Sequence, residues 1–210
     1  LPDRDSAEYC AADLYHLIEG DRVYFLPDSG KNLERSNYKS SLGVQRTSAI
    51  GKILEYREGE QMIVVTYPSA LEEIIPEKGK ISGSLLKLVV GEERSYEEIK
   101  EILFSSGFER VDFVSEPGQF AVRGALIDIF SYSFNNPFRI SFFGDEIESI
   151  NIFDANTQLS KEKVDYVDIY PDLSSSEDGE GSMVTDILPE DTLVWLDSSD
   201  MYKDKSFFPE

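Results

Sequence analysis

At 210 residues, with 40% hydrophobic and 12% aromatic content, the chain can build one large or two small folded domains and is not a disordered polymer. Its formal net charge of -21 argues against a large nucleic-acid footprint, because phosphate backbones are gripped by clustered Lys and Arg. One cysteine, Cys10, excludes an internal disulfide, and the lone His16 leaves no Cys/His spacing for a metal, so no metal ligand is expected. No apolar run approaches the ~18 residues that span a bilayer. No signal peptide is visible, so a cytoplasmic protein without a membrane partner is expected. The opening LPDRDSAEY, without Met, reads as a piece of a longer protein.

In chain order, Asp5 and Glu8 resemble a capping box for an amphipathic helix carrying Cys10, Leu14, Leu17 and Ile18 and stopping at Gly20. Val23 to Leu26 is a short strand, and the polar stretch from Asp28 to Ser41 reads as a loop. Thr47 is placed to cap a helix with Ile50, Ile53 and Leu54. Met62 to Tyr67 is a β-branched run of the kind buried on both faces of a parallel sheet, and Pro68 starts a short helix. This alternation predicts a doubly wound α/β domain.

The character changes near residues 79–83. Leu85 to Val90 reads as a strand, and Ser95 with Glu98 caps a helix closed by Gly107. Strands and turns follow, through Val164–Tyr170, giving a small α+β module with one helix on a mostly antiparallel sheet. SSSEDGEG is an acidic linker, Asp186–Leu188 a short helix, and Thr192–Asp197 a buried strand returning to the first domain. The expected domains are 1–82, 83–172 and 173–210, the last a linker and return segment.

Within the module, Gly124 interrupts a strand and predicts a bulge, and Gly144-Asp145 predicts a hairpin turn. Alternation puts Phe138, Ile140 and Phe142 on one face and Arg139, Ser141 and Phe143 on the other. An arginine beside an aromatic on an outward face is either a solvated strand or a contact surface. Spacing alone leaves both open.

Catalytic patterns are absent. A phosphate loop needs G-x-x-x-x-G-K-[ST]. Gly30-Lys31 is followed by Asn32, and Gly51-Lys52 by Ile53 inside a helix pattern. There is no G-x-S-x-G and no Cys/His pair. Asp145, Glu146 and Glu148 read as turn formers and solvated groups. No catalytic residue and no cofactor are expected here.

GFERVDFV, EPGQFAVRGALIDIF, PFRISFFGDEIESI and FDANTQLS, with VVTYPSALEEIIP upstream, resemble the N-terminal module of the bacterial transcription-repair coupling factors (Mfd), itself similar to the damage-recognition subunit UvrB. The resemblance implies a degenerate helicase-like, P-loop-type α/β domain without its nucleotide loop, interrupted by an inserted domain that docks the repair protein UvrA. It implies a non-catalytic module of transcription-coupled nucleotide excision repair. ATP and magnesium, DNA and RNA polymerase would belong to a translocase motor elsewhere in the parent, whose C-terminal domain would cover the UvrA surface until engaged. A UvrB-like fragment that binds nucleotide or damaged DNA itself is the runner-up, and the missing phosphate loop disfavours it. Carried over by motif, the UvrA-facing residues are Arg123, Arg139 and Phe143, with Arg110 a weaker candidate. Two departures stand out: Ala121 where UvrB-type sequences hold a second arginine, and Leu159 where the family pattern has arginine, expected to be a structural change.

Overall fold

The structure, a computed structural model, describes residues 1–19, 22–30, 37–174, 176 and 181–197. The chain forms a mixed α/β fold of two compact units. Leu1–Lys78 with Leu173–Glu210 make the first, and Gly79–Asp172 the second.

In the first unit, α1 (Arg4–Leu17) starts two residues earlier than Asp5 and Glu8 predict. Asp3 is the N-cap, its carboxylate accepting the Ser6 N–H at 2.8 Å. The buried stripe is Ala7 and Ala11, flanked by half-buried Cys10, Leu14 and Ile18, while Leu17 is exposed. Small side chains let α1 lie close on β1 (Val23–Phe25) and β2 (Ile63–Val65), which pair in parallel from Val23↔Ile63 to Phe25↔Val65. α2 (Asn37–Glu55) runs through Thr47. That residue caps nothing; it is buried mid-helix and accepts the Leu173 N–H at 3.0 Å. Residues 31–36 of the expected loop, including the Lys31 decoy, lie outside the described residues, and residues 37–41 are helical.

β2 is shorter and less buried than its β-branched run predicts. Ile63 is exposed, and among the described residues β2 pairs only with β1. α3 (Pro68–Glu72) follows with Pro in its first turn, as expected. The return segment makes an antiparallel bridge from Ser182 to Ile75, and the short helix predicted at Asp186–Leu188 is a 3-10 helix at Val184–Ile187. The strand expected at Thr192–Asp197 is contradicted. No strand forms there, and Leu193 and Trp195 are 96% and 95% exposed. A β-prone run becomes a strand only where an edge receives it. Most of the linker and everything beyond Asp197 lie outside the described residues.

α4 (Lys78–Ser84) leads the chain into the second unit, where β3 (Leu86–Val89) is followed by α5 (Tyr96–Ser105). Ser95 caps α5, accepting the Glu98 N–H at 3.4 Å, and Gly107 past its end has φ 81°. Then come β4 (Glu109–Arg110), β5 (Gln119–Arg123), β6 (Leu126–Phe130), β7 (Phe138–Phe143), β8 (Glu146–Phe153), β9 (Ser160–Val164) and β10 (Tyr166–Ile169). β4 to β9 form one sheet in sequence order, antiparallel except for the β4–β5 pair, and β10 pairs antiparallel with β3.

The inner face of the sheet rests on α5. Phe120, Ile127, Ile129, Ile140 and Ile150 meet Ile99 and Leu103 in a core where none is more than 1% exposed. Burying each such side chain is worth about 1.5–3 kcal/mol, so this face fixes the register of every strand. Gly118 sets the approach to β5. Its φ is 84°, and a Cβ there would stand 2.3 Å from the Tyr132 hydroxyl. Gly118→Ala should therefore lower stability by about 2–3 kcal/mol, read by urea unfolding, through backbone strain and a displaced Tyr132 ring.

Candidate protein-docking surface

Two tight hairpins aim the outer face. Gly124 does not form a bulge. With Ala125 it makes the two-residue turn of the β5–β6 hairpin, closed by the Arg123↔Leu126 pair, and its φ of 58° is the conformation such a turn requires. Gly144-Asp145 turns β7 into β8 as expected, with Phe143 paired to Glu146. The register shift lies between Ser141 and Phe142, where Glu148 is the extra residue.

Cross-strand pairing then places Ala121, Asp128, Arg139, Asn151 and Lys163 in one row, and Arg123, Leu126, Ser141 and Ser149 in the next. Phe143 follows on the same face. Asp128, between Ala121 and Arg139 in the first row, is 1% exposed. Arg139 binds it through both fork positions, Nε to Oδ1 at 2.7 Å and Nη2 to Oδ2 at 2.9 Å. Arg123 donates from Nη2 to the same Oδ2. One buried carboxylate thus holds both predicted arginines, and its hydrogen bonds raise the Arg139 guanidinium above its ordinary value.

Further contacts fix each arginine. Arg139 stacks on Phe153, 4.4 Å to the ring centroid, and donates to Gln158 Oε1 at 3.4 Å. Gln158 adopts φ 60° and donates to the Ala155 carbonyl at 2.7 Å. The turn holding it is tied by Asp154, whose carboxylate accepts the Thr157 and Asn156 N–H groups and pairs with Lys161. The Thr157 N–H bond and then Lys161 hold Asp154 at about 2, well below the usual carboxylate range. Arg123 stacks on Phe113, 4.9 Å to its centroid.

The face is half covered. Val114, Phe130 and Phe153 bury Ala121 in a second small core, with Val111 and Ala155 at its edge. The site where UvrB-type sequences hold an arginine is therefore interior here. Beyond it the surface is open. Arg123 is one-third exposed, Phe113 61% and Phe143 78%. Leu159 is exposed too, which corrects the expectation of a structural role. Arg110 stands apart. It pairs with Phe120 in the parallel β4–β5 register, so it belongs to the helix-bearing side of the sheet.

Sequence reasoning missed Asp128 and Phe113. Asp128 had a usable signal: a carboxylate in the apolar run LIDIF, opposite an arginine on the next strand, is a buried-pair pattern. Phe113 had none, because it reaches Arg123 from an irregular segment between β4 and β5.

Residues 86–174 match the family described as the UvrB interaction domain. The chain is 31% identical over 166 residues to the transcription-repair-coupling factor of Bacillus subtilis, covering 79% of this chain and 14% of that protein. The chain is homologous to a stretch of the transcription-repair-coupling factors, and its middle is a UvrB interaction domain. The Escherichia coli factor is 32% identical over 110 residues, or 52% of this chain and 10% of that protein. That of Mycobacterium bovis is 34% identical over 104 residues, 50% of this chain and 8% of that protein. The chain thus spans roughly a seventh or less of these relatives. The matched residues include Phe113, Arg123, Arg139 and Phe143 of the open face. No helix among the described residues is long and apolar enough to cross a membrane.

Proposed function

We propose that the chain is the UvrA-recruiting module of a transcription-repair-coupling factor, and that UvrA docks on the open half of the Arg123–Phe143 face. The observation that carries this is the pair of guanidiniums fixed by one buried Asp128 beside exposed Phe113 and Phe143, inside a UvrB interaction domain. Arginine and aromatic side chains supply most of the binding energy in such interfaces. Here both arginines are pre-positioned, so docking loses little side-chain freedom. Each keeps donors in reserve. Arg139 Nη1 and Arg123 Nε and Nη1 face no hydrogen-bond acceptor among the described residues and can receive partner carboxylates.

The module works by contact rather than catalysis. ATP-driven DNA translocation and displacement of stalled RNA polymerase belong to the remainder of the parent, as the family resemblance implies. So does a C-terminal domain that shields this face. The chain alone is therefore open to UvrA.

Phe143→Ala should weaken UvrA binding by roughly tenfold or more, and Arg110→Ala by less than about twofold, since Arg110 lies on the other side of the sheet. Calorimetric titration with purified UvrA measures both. A Phe143→Ala protein that binds like the parent would remove Phe143 from the surface, and a large Arg110 effect would move the surface to the helix side.

A further inference from the structure

In the first unit, the carboxyl ends of parallel strands β1 and β2 lead into a polar cluster. Ligands of parallel α/β sheets bind outside these strand ends, where loop N–H groups face anions. Here the loop after β1 runs through Asp28, Ser29 and Gly30, the last at φ 66°. The Asp28 N–H donates to the Tyr67 hydroxyl at 2.9 Å, and the Ser29 and Gly30 donors are taken by the protein's own carboxylates. The Ser29 N–H donates to Glu73 Oε2 at 2.6 Å and the Ser29 hydroxyl to Oε1 at 2.9 Å. The Gly30 N–H donates to Asp28 Oδ1 at 3.0 Å, and Asp28 also takes Arg4 and the Tyr67 hydroxyl.

Behind Glu73 lies Arg46, fully buried. Its Nε stands 3.5 Å from Glu73 Oε2, and its fork donates to the carbonyls of Pro27, Ala70, Glu73 and Ser174. The Ser29 N–H and hydroxyl, one on each Glu73 oxygen, together with the Arg46 charge 3.5 Å from Oε2, form a cradle for an oxyanion. Glu73 supplies that oxyanion from within.

We infer that Glu73 is a built-in anion: it fills an oxyanion cradle made by the Ser29 donors beside the Arg46 charge, closes it to free anions, and its removal opens the cradle to inorganic phosphate. The closure goes further than a missing phosphate loop, because a protein group sits in the anion position. The Glu73 side chain is 22% exposed, and its two oxygens already hold the Ser29 N–H and hydroxyl.

The test is thermal melting of the 210-residue chain and its variants against inorganic phosphate, with chloride at matched ionic strength. Glu73→Ala should show a saturable, phosphate-specific rise in Tm, with apparent affinity at least about tenfold above any wild-type response. Adding Ser29→Ala to that variant should remove the rise. Glu73→Gln, whose amide still fills the cradle, should behave like wild type. Should Glu73→Ala fail to fold in chloride, recovery of the folded state by phosphate in the same titration is the supporting result. Absence of any phosphate-specific response by Glu73→Ala, in melting or in recovery, overturns the inference. So does an equal response by the wild-type chain.

Discussion

Arg46→Leu is expected to lower the stability of the first unit by about 3–5 kcal/mol, the cost of breaking a buried charged network by removing one partner. Four carbonyls lose their donor at once: Pro27 after β1, Ala70 in α3, Glu73 after α3 and Ser174 on the return segment. The Glu73 carboxylate also loses its buried counter-charge. Burial pulls the Arg46 guanidinium down from its ordinary value, and the charges of Glu73 and Asp28 oppose part of that pull. Lysine should not substitute. A single ammonium lacks the planar fork that reaches carbonyls on separate elements. The measurement is urea unfolding followed by probes in each unit. The first-unit transition should move to lower urea for both Arg46→Leu and Arg46→Lys, and the second-unit transition should stay in place. A shift under about 1 kcal/mol would mean that the four carbonyls are satisfied by water instead.

Asp128→Ala carries the second large effect, because it acts on stability and on docking together. Asp128 is buried and accepts three hydrogen bonds from two arginines. Arg139 and Arg123 are both partly exposed, so solvent recovers part of the lost interaction and the stability cost should be about 2–3 kcal/mol. The effect on UvrA binding should be larger than that of either arginine alone, since both guanidiniums lose their anchor and must be ordered by the partner. Asp128→Asn separates the two effects. It keeps the volume and one acceptor but sets an NH2 group against guanidinium donors, so it should also weaken binding while disturbing packing less. Urea unfolding and UvrA titration on the same preparations read both quantities. Unchanged UvrA affinity in a folded Asp128→Ala protein would mean that the arginines need no anchor.

The second unit was more legible in the sequence than the first. Alternation in FRISFF separated Phe138, Ile140 and Phe142 from Arg139, Ser141 and Phe143, and the structure keeps that division because the first face is buried and a one-residue slip would expose it. Ser95 and Glu98 marked the start of α5 through cap chemistry alone. Gly124 misled because a glycine with positive φ serves a bulge and a hairpin turn equally, and only the pairing of Arg123 with Leu126 separates them. In the first unit, Met62–Tyr67 and Thr192–Asp197 carry strong β propensity, but burial depends on neighbouring strands that local sequence does not specify. Arg46 was invisible for a similar reason. A helix arginine reads as solvated unless its acceptors, drawn from residues up to 128 positions away, are known. At the docking surface the outward arginines and Phe143 were legible as a face. The buried carboxylate that organises them, and the stacking of Phe113 on Arg123, depend on tertiary contacts.

The most direct measurement is the affinity of purified UvrA for the Arg123→Ala chain relative to the parent chain, by calorimetric titration at fixed salt. Arg123 is partly exposed and is the less tightly anchored of the two arginines, so its loss should leave the fold intact. Affinity should weaken by about tenfold or more, roughly 1.4 kcal/mol or above. A folded Arg123→Ala chain that binds UvrA as tightly as the parent chain would contradict docking on this face.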